Sequence, residues 1–150
     1  MTPVEDARMG KVMQPIKLRN SNDVAQALEG ALPENAIRSL QIEALVDTGA
    51  TMLALPSDVV AALGVPFQGL RRVRYANGES AERAWVGNIE IEILGRKTIC
   101  TAIVEKAGTT PLIGQIPLEE LDLLVDPKSR ELRVNPASPD IPLLDILSAA

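Results

Sequence analysis

The chain has 150 residues, of which 46% are hydrophobic and only 2% aromatic, and its formal net charge is −5 at pH 7. These values predict one domain with a core of aliphatic side chains, and the negative charge argues against a nucleic-acid partner. The chain has one cysteine and no histidine, which excludes intramolecular disulfides, histidine-dependent nucleophilic catalysis and the common zinc sites. Any catalysis must therefore use carboxylate, lysine, tyrosine or backbone groups.

No apolar run is long enough to cross a membrane, and the first residues lack the apolar segment of a secretory signal. We therefore expect a cytoplasmic protein with no membrane partner. Residues 1–10 are interpreted as a flexible N-terminal arm, residues 11–135 as the domain, and residues 136–150 as a C-terminal tail that contains three prolines.

The first predicted elements are two strands with a short helix between them. Residues 11–18 alternate between apolar and polar around Pro15, which predicts an edge strand or a bulged strand, since proline has no N–H to donate to a neighbour. A helix over residues 24–28 follows capping residues and ends at a glycine. A strand over residues 36–46 comes next and becomes almost continuously apolar near its end.

The middle of the chain predicts another short strand over residues 52–55, a helix over residues 58–63, and then a hairpin over residues 70–85. Asn77-Gly78 favours a two-residue type I′ turn at the tip of this hairpin. Both arms carry too many charges for a core position, so we expect the hairpin to project from the domain. Three arginines on its first arm are typical of a solvated surface: Arg71, Arg72 and Arg74.

The remaining predicted elements are again short. Strands are predicted over residues 89–94 and 98–104, followed by an apolar triplet over residues 112–114, a helix over residues 116–121, and a hairpin over residues 123–134. Because no strand–helix–strand rhythm is present, the pattern predicts a mainly β fold, a barrel or sandwich with two or three short helices.

One motif stands out as a candidate site. The apolar residues 42–46 lead directly into Asp47, Thr48 and Gly49, which places a carboxylate on a tight turn at the end of a buried strand. Gly49 permits a close approach of the backbone, and Thr48 supplies a hydroxyl that can both donate and accept hydrogen bonds. This is where we expect chemistry to occur.

The Asp-Thr-Gly-Ala motif at residues 47–50, the projecting hairpin, and Leu112-Ile113-Gly114 before a short helix together resemble the retropepsin-like aspartic proteases. The small bacterial single-domain members are the most similar, over about residues 12–135. The resemblance implies a closed acid-protease barrel in which the hairpin is a flap. It also implies a homodimer, because a working site needs two such motifs and this chain has one.

In such a protein, Asp47 from both subunits would share a proton and activate the water that hydrolyses a peptide bond in an extended polypeptide. The resemblance implies that Thr48 and Gly49 support the site, and it implies neither a cofactor nor a metal. The implied substrate-binding residues are Ala50, Met52, Ala54, Tyr75, Ala76, Asn77, Gly78, Leu112, Ile113 and Gly114.

Two features depart from the family pattern. Thr51 and Gln115 stand where retroviral members often carry an Asp–Arg ion pair, so we expect a hydrogen bond in its place. The flap of this chain has one tip glycine and several charges, whereas retroviral flaps are glycine-rich and apolar.

Several alternatives stay open from the sequence. Asp47 could merely cap the backbone of a turn, or the motif could be the phosphate loop of a sugar-kinase or actin-like fold, which needs long crossover helices. A protease fold without activity, a dimeric peptide-binding module, is a further alternative. The cluster of Glu119, Glu120 and Asp122 is interpreted as a solvated helix face rather than a metal site.

Overall fold

The computed structural model describes residues 11–146, so the predicted N-terminal arm lies outside the described residues. The strands are β1 Val12–Asn20, β2 Ser39–Val46, β3 Leu53–Pro56, β4 Phe67–Arg74, β5 Ser80–Ile93, β6 Arg96–Glu105, β7 Leu112–Ile113, β8 Leu123–Asp126 and β9 Glu131–Val134. The helices are α1 Ser21–Leu28, α2 Ser57–Leu63 and α3 Gln115–Glu120, with a 3₁₀ turn at Glu34–Ala36. Within this range no helix is long and apolar enough to span a membrane. The predicted mainly β fold with short helices is confirmed.

Six of the strands pair with one another in a ring. The order is β1, β2, β7, β3, β6 and β5, and β5 pairs with β1 again. The β2–β7 and β3–β6 pairs are parallel, whereas the other pairs are antiparallel. Strand β4 pairs with β5 outside this ring, and β8 pairs with β9 in a separate hairpin.

The core consists of aliphatic side chains from the strands of the ring and from the helices. Along β1, every second residue is buried, as expected for a strand with one face in the core. Full burial of one such leucine or isoleucine stabilises the fold by roughly 1.5–3 kcal/mol. The large aliphatic side chains with almost no exposed surface are Leu18, Leu53, Leu55, Leu63, Ile89, Ile91, Ile93, Ile113 and Leu121.

The prediction that β1 is an edge strand is wrong for half of its length. Residues 12–19 pair with β2, and residues 17–20 pair with β5 on the other side. Pro15 precedes the segment that contacts β5, so β1 has only one neighbour there. The absence of an N–H on Pro15 is therefore tolerated as it would be on an edge strand.

Strand β5 is continuous, although two strands were predicted over its length. An irregularity between Val86 and Ile89, where Asn88 has φ 57°, keeps the strand paired with β6 along both halves. Its first half pairs with β4 and its second half pairs with β1. The β4–β5 hairpin is therefore an extension of a strand that is anchored in the ring.

The predicted type I′ turn at Asn77-Gly78 is also wrong. Gly78 N–H donates to the Tyr75 carbonyl at 2.9 Å, and only Gly78 in this loop has positive φ, at 87°. The loop therefore has three residues and ends in a left-handed glycine. Positive φ at two successive residues, as type I′ requires, occurs instead at Leu94 and Gly95, between β5 and β6.

The first two helices begin earlier than predicted. Helix α1 begins at Ser21 because the side chain of buried Asn20 accepts hydrogen bonds from Asn22 N and Asp23 N at 2.9 and 3.1 Å. Asn20 also donates to the Leu63 carbonyl at 2.9 Å, which connects this cap to the end of α2. Buried Asn20 therefore satisfies the ends of two helices.

The residues after β9 contact the domain, although a tail was predicted to begin at residue 136; the boundary itself stays a prediction. The carboxylate of Asp122 accepts hydrogen bonds from the Ser138 hydroxyl, from Asn135 Nδ2 at 3.0 Å and from Leu143 N at 3.0 Å. Buried Arg96 donates to the Ser138 carbonyl and, at 3.0 Å, to the Leu121 carbonyl. Residues 135–143 are therefore held against the domain.

This anchor should make stability depend on pH. The hydrogen bonds from Ser138, Asn135 and Leu143 lower the pKa of Asp122 to about 2, below the value of about 3.9 in an unfolded chain. A lowered pKa in the folded state gives stability that is complete above about pH 4 and is lost as the pH falls towards about 2. At about pH 6 we expect native protein to have a higher melting temperature than Asp122→Asn. By about pH 2.5 this difference in melting temperature should be smaller.

Thermal unfolding of both proteins across this range measures the difference. Asparagine tolerates the left-handed backbone of residue 122, where φ is 54°, so the comparison isolates the carboxylate. A difference in melting temperature that stays constant with pH would contradict the role of Asp122.

Candidate active site

Asp47 follows the last residue of β2 and is held at both ends by hydrogen bonds. Its N–H donates to the Ile113 carbonyl at 3.0 Å, and its carbonyl accepts from Ala50 N at 3.1 Å. The carboxylate is half-buried, and Oδ1 accepts from Gly49 N at 3.0 Å. Within residues 11–146, Oδ2 has no hydrogen-bond partner, so capping the turn uses only one of the two carboxylate oxygens.

The Asp47 loop is connected to the segment after β7 by main-chain hydrogen bonds. Gln115 N donates to the Ala50 carbonyl at 2.8 Å, and Ile116 N donates to the Thr51 carbonyl at 2.9 Å. The expected side-chain hydrogen bond between Thr51 and Gln115 is not formed, because Gln115 Nε2 donates to Glu119 at 3.0 Å instead. The backbone therefore replaces the ion pair of the retroviral members.

Gly114 makes this connection possible. A Cβ at this position would lie 2.4 Å from the Met52 carbonyl oxygen and 2.8 Å from the Ala50 carbonyl oxygen. Real Cβ contacts are essentially never this short, and the opposing atoms are backbone atoms, which cannot rotate away. Glycine at residue 114 is therefore required by the close approach of two chain segments rather than by its φ, which is −89°.

Asp47 lies in a cavity of about 610 Å³ between its own loop, β3, β6 and the β4–β5 hairpin. Small and apolar side chains from the loop and from β3 form one wall, and residues 71–76 of the hairpin form the opposite wall. The lining residues are Asp47, Gly49, Ala50, Thr51, Met52, Ala54, Arg71, Arg72, Val73, Arg74, Tyr75, Ala76, Ile103, Glu105 and Leu112.

Eight of the residues predicted for the site line this cavity: Asp47, Gly49, Ala50, Met52, Ala54, Tyr75, Ala76 and Leu112. The other five lie elsewhere. Thr48 is exposed beside the cavity, Asn77 and Gly78 are exposed at the hairpin tip, Ile113 is in the core, and Gly114 packs behind the loop. The functions assigned to all thirteen stay predictions.

Sequence reasoning missed Glu105, the last residue of β6. Its carboxylate accepts from the Tyr75 hydroxyl at 2.8 and 2.9 Å and from Arg83 Nε at 2.8 Å. Burial, together with the hydrogen bond to Glu105, raises the pKa of Tyr75, so the hydroxyl keeps its proton. Glu105 thereby joins the hairpin to the ring. An acid at the end of an apolar strand, as at Asp47, was the signal available in the sequence.

A second missed feature is the position of Arg71. Its guanidinium carbon lies 4.1 Å from the centre of the Trp85 ring, and Nη1 lies 3.1 Å from the sulfur of Met52. Trp85 therefore supports a cation beside the cavity.

Three other interpretations receive no support from this arrangement: a cysteine nucleophile, a metal site, and a sugar-kinase or actin-like fold. The only thiol, Cys100, is buried, and burial raises its pKa to about 12, so it is not a nucleophile. No group of three or more potential metal-ligating side chains occurs among residues 11–146. The longest helix in this range has eight residues, so the long crossover helices of a sugar-kinase or actin-like fold are not present there.

Comparison with known proteins identifies the family of the chain. A family model described as gag-polyprotein putative aspartyl protease matches residues 34–120, which include both Asp47 and Gly114. The match covers more than half of the chain, and the chain belongs to this family of retropepsin-like aspartic proteases. No curated protein is similar enough to be named as a relative.

Proposed function

We propose that the protein is an aspartic endopeptidase that works as a homodimer and hydrolyses peptide bonds in extended polypeptides. The position of Asp47 carries this proposal: a half-buried carboxylate, one oxygen of which has no hydrogen-bond partner within residues 11–146, lies in a cavity of about 610 Å³. In this proposal, the ring of strands is the closed acid-protease barrel, and the β4–β5 hairpin is the flap that covers the substrate.

Dimerisation is proposed because one chain supplies only half of the necessary chemistry. Peptide hydrolysis needs a base for water and an acid for the carbonyl, and the chain has one Asp-Thr-Gly motif and no histidine. Thr48 and Gly49 are exposed at the tip of the loop, and the Thr48 hydroxyl makes no hydrogen bond within the described residues. A second copy of the loop offers the matching donor and acceptor groups.

In the proposed reaction, the ionised Asp47 takes a proton from a water molecule bound between the two carboxyl groups. The water oxygen attacks the scissile carbonyl carbon, while the protonated Asp47 of the second subunit donates its proton to the carbonyl oxygen. The first Asp47, now protonated, then donates its proton to the amine nitrogen and the C–N bond of the diol breaks. One hydroxyl of the diol gives its proton to the ionised Asp47 of the second subunit as the carbonyl of the new carboxylic acid forms. Both aspartates return to the state in which they share one proton.

The residues around Asp47 receive separate functions. Gly49 is proposed to bind the substrate main chain, and the side chains of Ala50, Met52, Ala54 and Leu112 are proposed to line apolar pockets. Residues 75–78 of the hairpin are proposed to cover the peptide. Ile113 and Gly114 are proposed to hold the loop from behind, because they are buried away from the cavity.

The test is digestion of a mixed peptide library by the native protein between about pH 3.5 and 7, the range in which a carboxylate pair works. We expect cleavage at defined sites. We also expect the activity per chain to fall on dilution, as the dimer dissociates in parallel sedimentation measurements.

Two other outcomes are informative. A dimer that binds library peptides without cutting them would favour a silent peptide-binding module of the same fold. Activity per chain that stays constant at concentrations where sedimentation detects only monomer would contradict the two-subunit site.

A further inference from the structure

One face of the β4–β5 hairpin carries two arginines opposite each other, and one of them, Arg71, lines the cavity. Residues 71 and 83 are partners in the β4–β5 register, so their side chains leave the same face of the hairpin. Arg72 and Arg74, which also line the cavity, alternate with Arg71, so their side chains leave the other face of the hairpin. The four arginines of the hairpin are thus not equivalent, although Arg71, Arg72 and Arg74 were all expected to serve as solvated surface.

Arg71 and Arg83, which share this face, also differ in their partners. Arg83 is neutralised by Glu105, with Nε 2.8 Å from Oε1. Within residues 11–146, Arg71 forms no ion pair; it contacts the Trp85 ring and the Met52 sulfur, which is only a weak hydrogen-bond acceptor. Arg71 therefore presents a positive charge to the cavity with most of its N–H groups unused.

The contacts of Arg71 also orient it. Stacking on Trp85 holds the planar guanidinium, so little side-chain freedom would be lost when a ligand binds. A guanidinium of this kind matches a carboxylate, which accepts two parallel N–H bonds from it. Met52 and Asp47 line the same cavity, so a peptide that reaches Asp47 passes Arg71.

We propose that Arg71 binds an acidic side chain of the peptide and makes the enzyme selective for substrates with Asp or Glu near the scissile bond. This selectivity rests on the peptidase function proposed above. Glu105, the other cavity acid besides Asp47, is neutralised by Arg83 and does not oppose it. In a homodimer the two copies of Arg71 are related by symmetry, so acidic residues are favoured at matching positions on both sides of the cut.

The test compares pairs of peptides that differ only by Glu or Gln at each position around one cleavage site. For native protein we expect kcat/KM to favour Glu by about tenfold at one position or a symmetric pair of positions, mostly through KM. In Arg71→Gln the ratio of kcat/KM between the Glu and Gln peptides falls to about one. In Arg71→Glu the preference moves to a peptide with Lys at that position.

The matched control is Lys97→Gln, which removes one positive charge at an exposed site on β6 outside the cavity. This variant should keep the Glu preference. The preference of native protein should also shrink as NaCl rises from about 0.05 to 0.5 M, because an exposed ion pair is screened. Equal cutting of Glu and Gln peptides by native protein, or an unchanged preference in Arg71→Gln, overturns the role of Arg71.

Peptide binding to an Asp47→Asn protein provides a readout that does not need catalysis. Fluorescence anisotropy with the same labelled Glu and Gln peptides should show a preference that Arg71→Gln removes. If native protein cuts nothing but this binding preference is found, the peptidase function fails and the recognition by Arg71 stands. If peptides are cut but bound without preference, only the role of Arg71 fails.

Discussion

Replacing Asp47 with asparagine is expected to lower kcat/KM for peptide cleavage by about 1,000-fold, because an amide cannot take the proton of the attacking water. The fold should survive, since the Oδ1 of asparagine can still accept the hydrogen bond from Gly49 N that Asp47 accepts at 3.0 Å. Cleavage of one library peptide by native and variant protein, at matched concentration and melting temperature, measures the effect.

The control for this prediction is Asp140→Asn, the same chemical change at an exposed residue outside the cavity. Its kcat/KM should equal that of native protein. If Asp47→Asn cuts as well as native protein, Asp47 is not the catalyst.

Mixing native and Asp47→Asn chains separates a shared site from two independent ones. If each site needs Asp47 from both subunits, co-refolded mixtures keep an activity that is proportional to the square of the native fraction. Mixtures of native and Asp140→Asn chains should keep full activity at every ratio. A decrease that is linear in the native fraction would contradict the shared site.

Replacing Gly114 with alanine is expected to destabilise the protein by about 3 kcal/mol, which corresponds to a melting temperature lowered by roughly 10 °C. The added Cβ would lie 2.4 Å from the Met52 carbonyl oxygen and 2.7 Å from Met52 N. The two segments would have to separate, which would stretch the hydrogen bonds from Gln115 N and Ile116 N to the Asp47 loop. We therefore also expect cleavage activity to fall at temperatures where the variant is still folded.

A matched control for Gly114 is Gly95→Ala. Gly95 has φ 80°, and a Cβ there meets no atom within 4 Å, so alanine costs only backbone strain of about 1 kcal/mol. Urea or thermal unfolding of both variants measures the two losses. Equal losses would show that contact with the Met52 backbone is unimportant.

The sequence was informative where one short segment determines the structure. An apolar strand that ends in Asp47-Thr48-Gly49 predicted the Asp47 loop. Leu112-Ile113-Gly114 predicted the short strand and glycine that precede α3 and pack against this loop. The hairpin over residues 123–134 was also predicted correctly, because its two apolar segments flank polar turn residues. These features depend on neighbours in the chain and need no knowledge of distant contacts.

The features that the sequence did not predict depend on the register between distant segments. The pairing of β1 with β5 joins residues such as Arg19 and Glu90, whose side chains lie 2.6 Å apart although 71 positions separate them. The contacts of Arg71 with Met52 and of Tyr75 with Glu105 have the same origin. Two successive residues with positive φ occur at Leu94-Gly95 and not at Asn77-Gly78. The pairing of the flanking strands determined the length of each loop, and the local preference of Asn-Gly for a two-residue turn did not predict it.

The main-chain hydrogen bonds between residues 50–51 and 115–116 have a consequence for redesign. Because the backbone holds the loop, the side chains of Ala50 and Met52 are not needed to keep Asp47 in place. These positions can therefore accept larger or polar residues that reshape the pockets, while the catalytic geometry is retained. The same independence allows cleavage preference to diverge between related enzymes without a change in the loop, and it identifies Ala50 and Met52 as starting points for engineering a new preference.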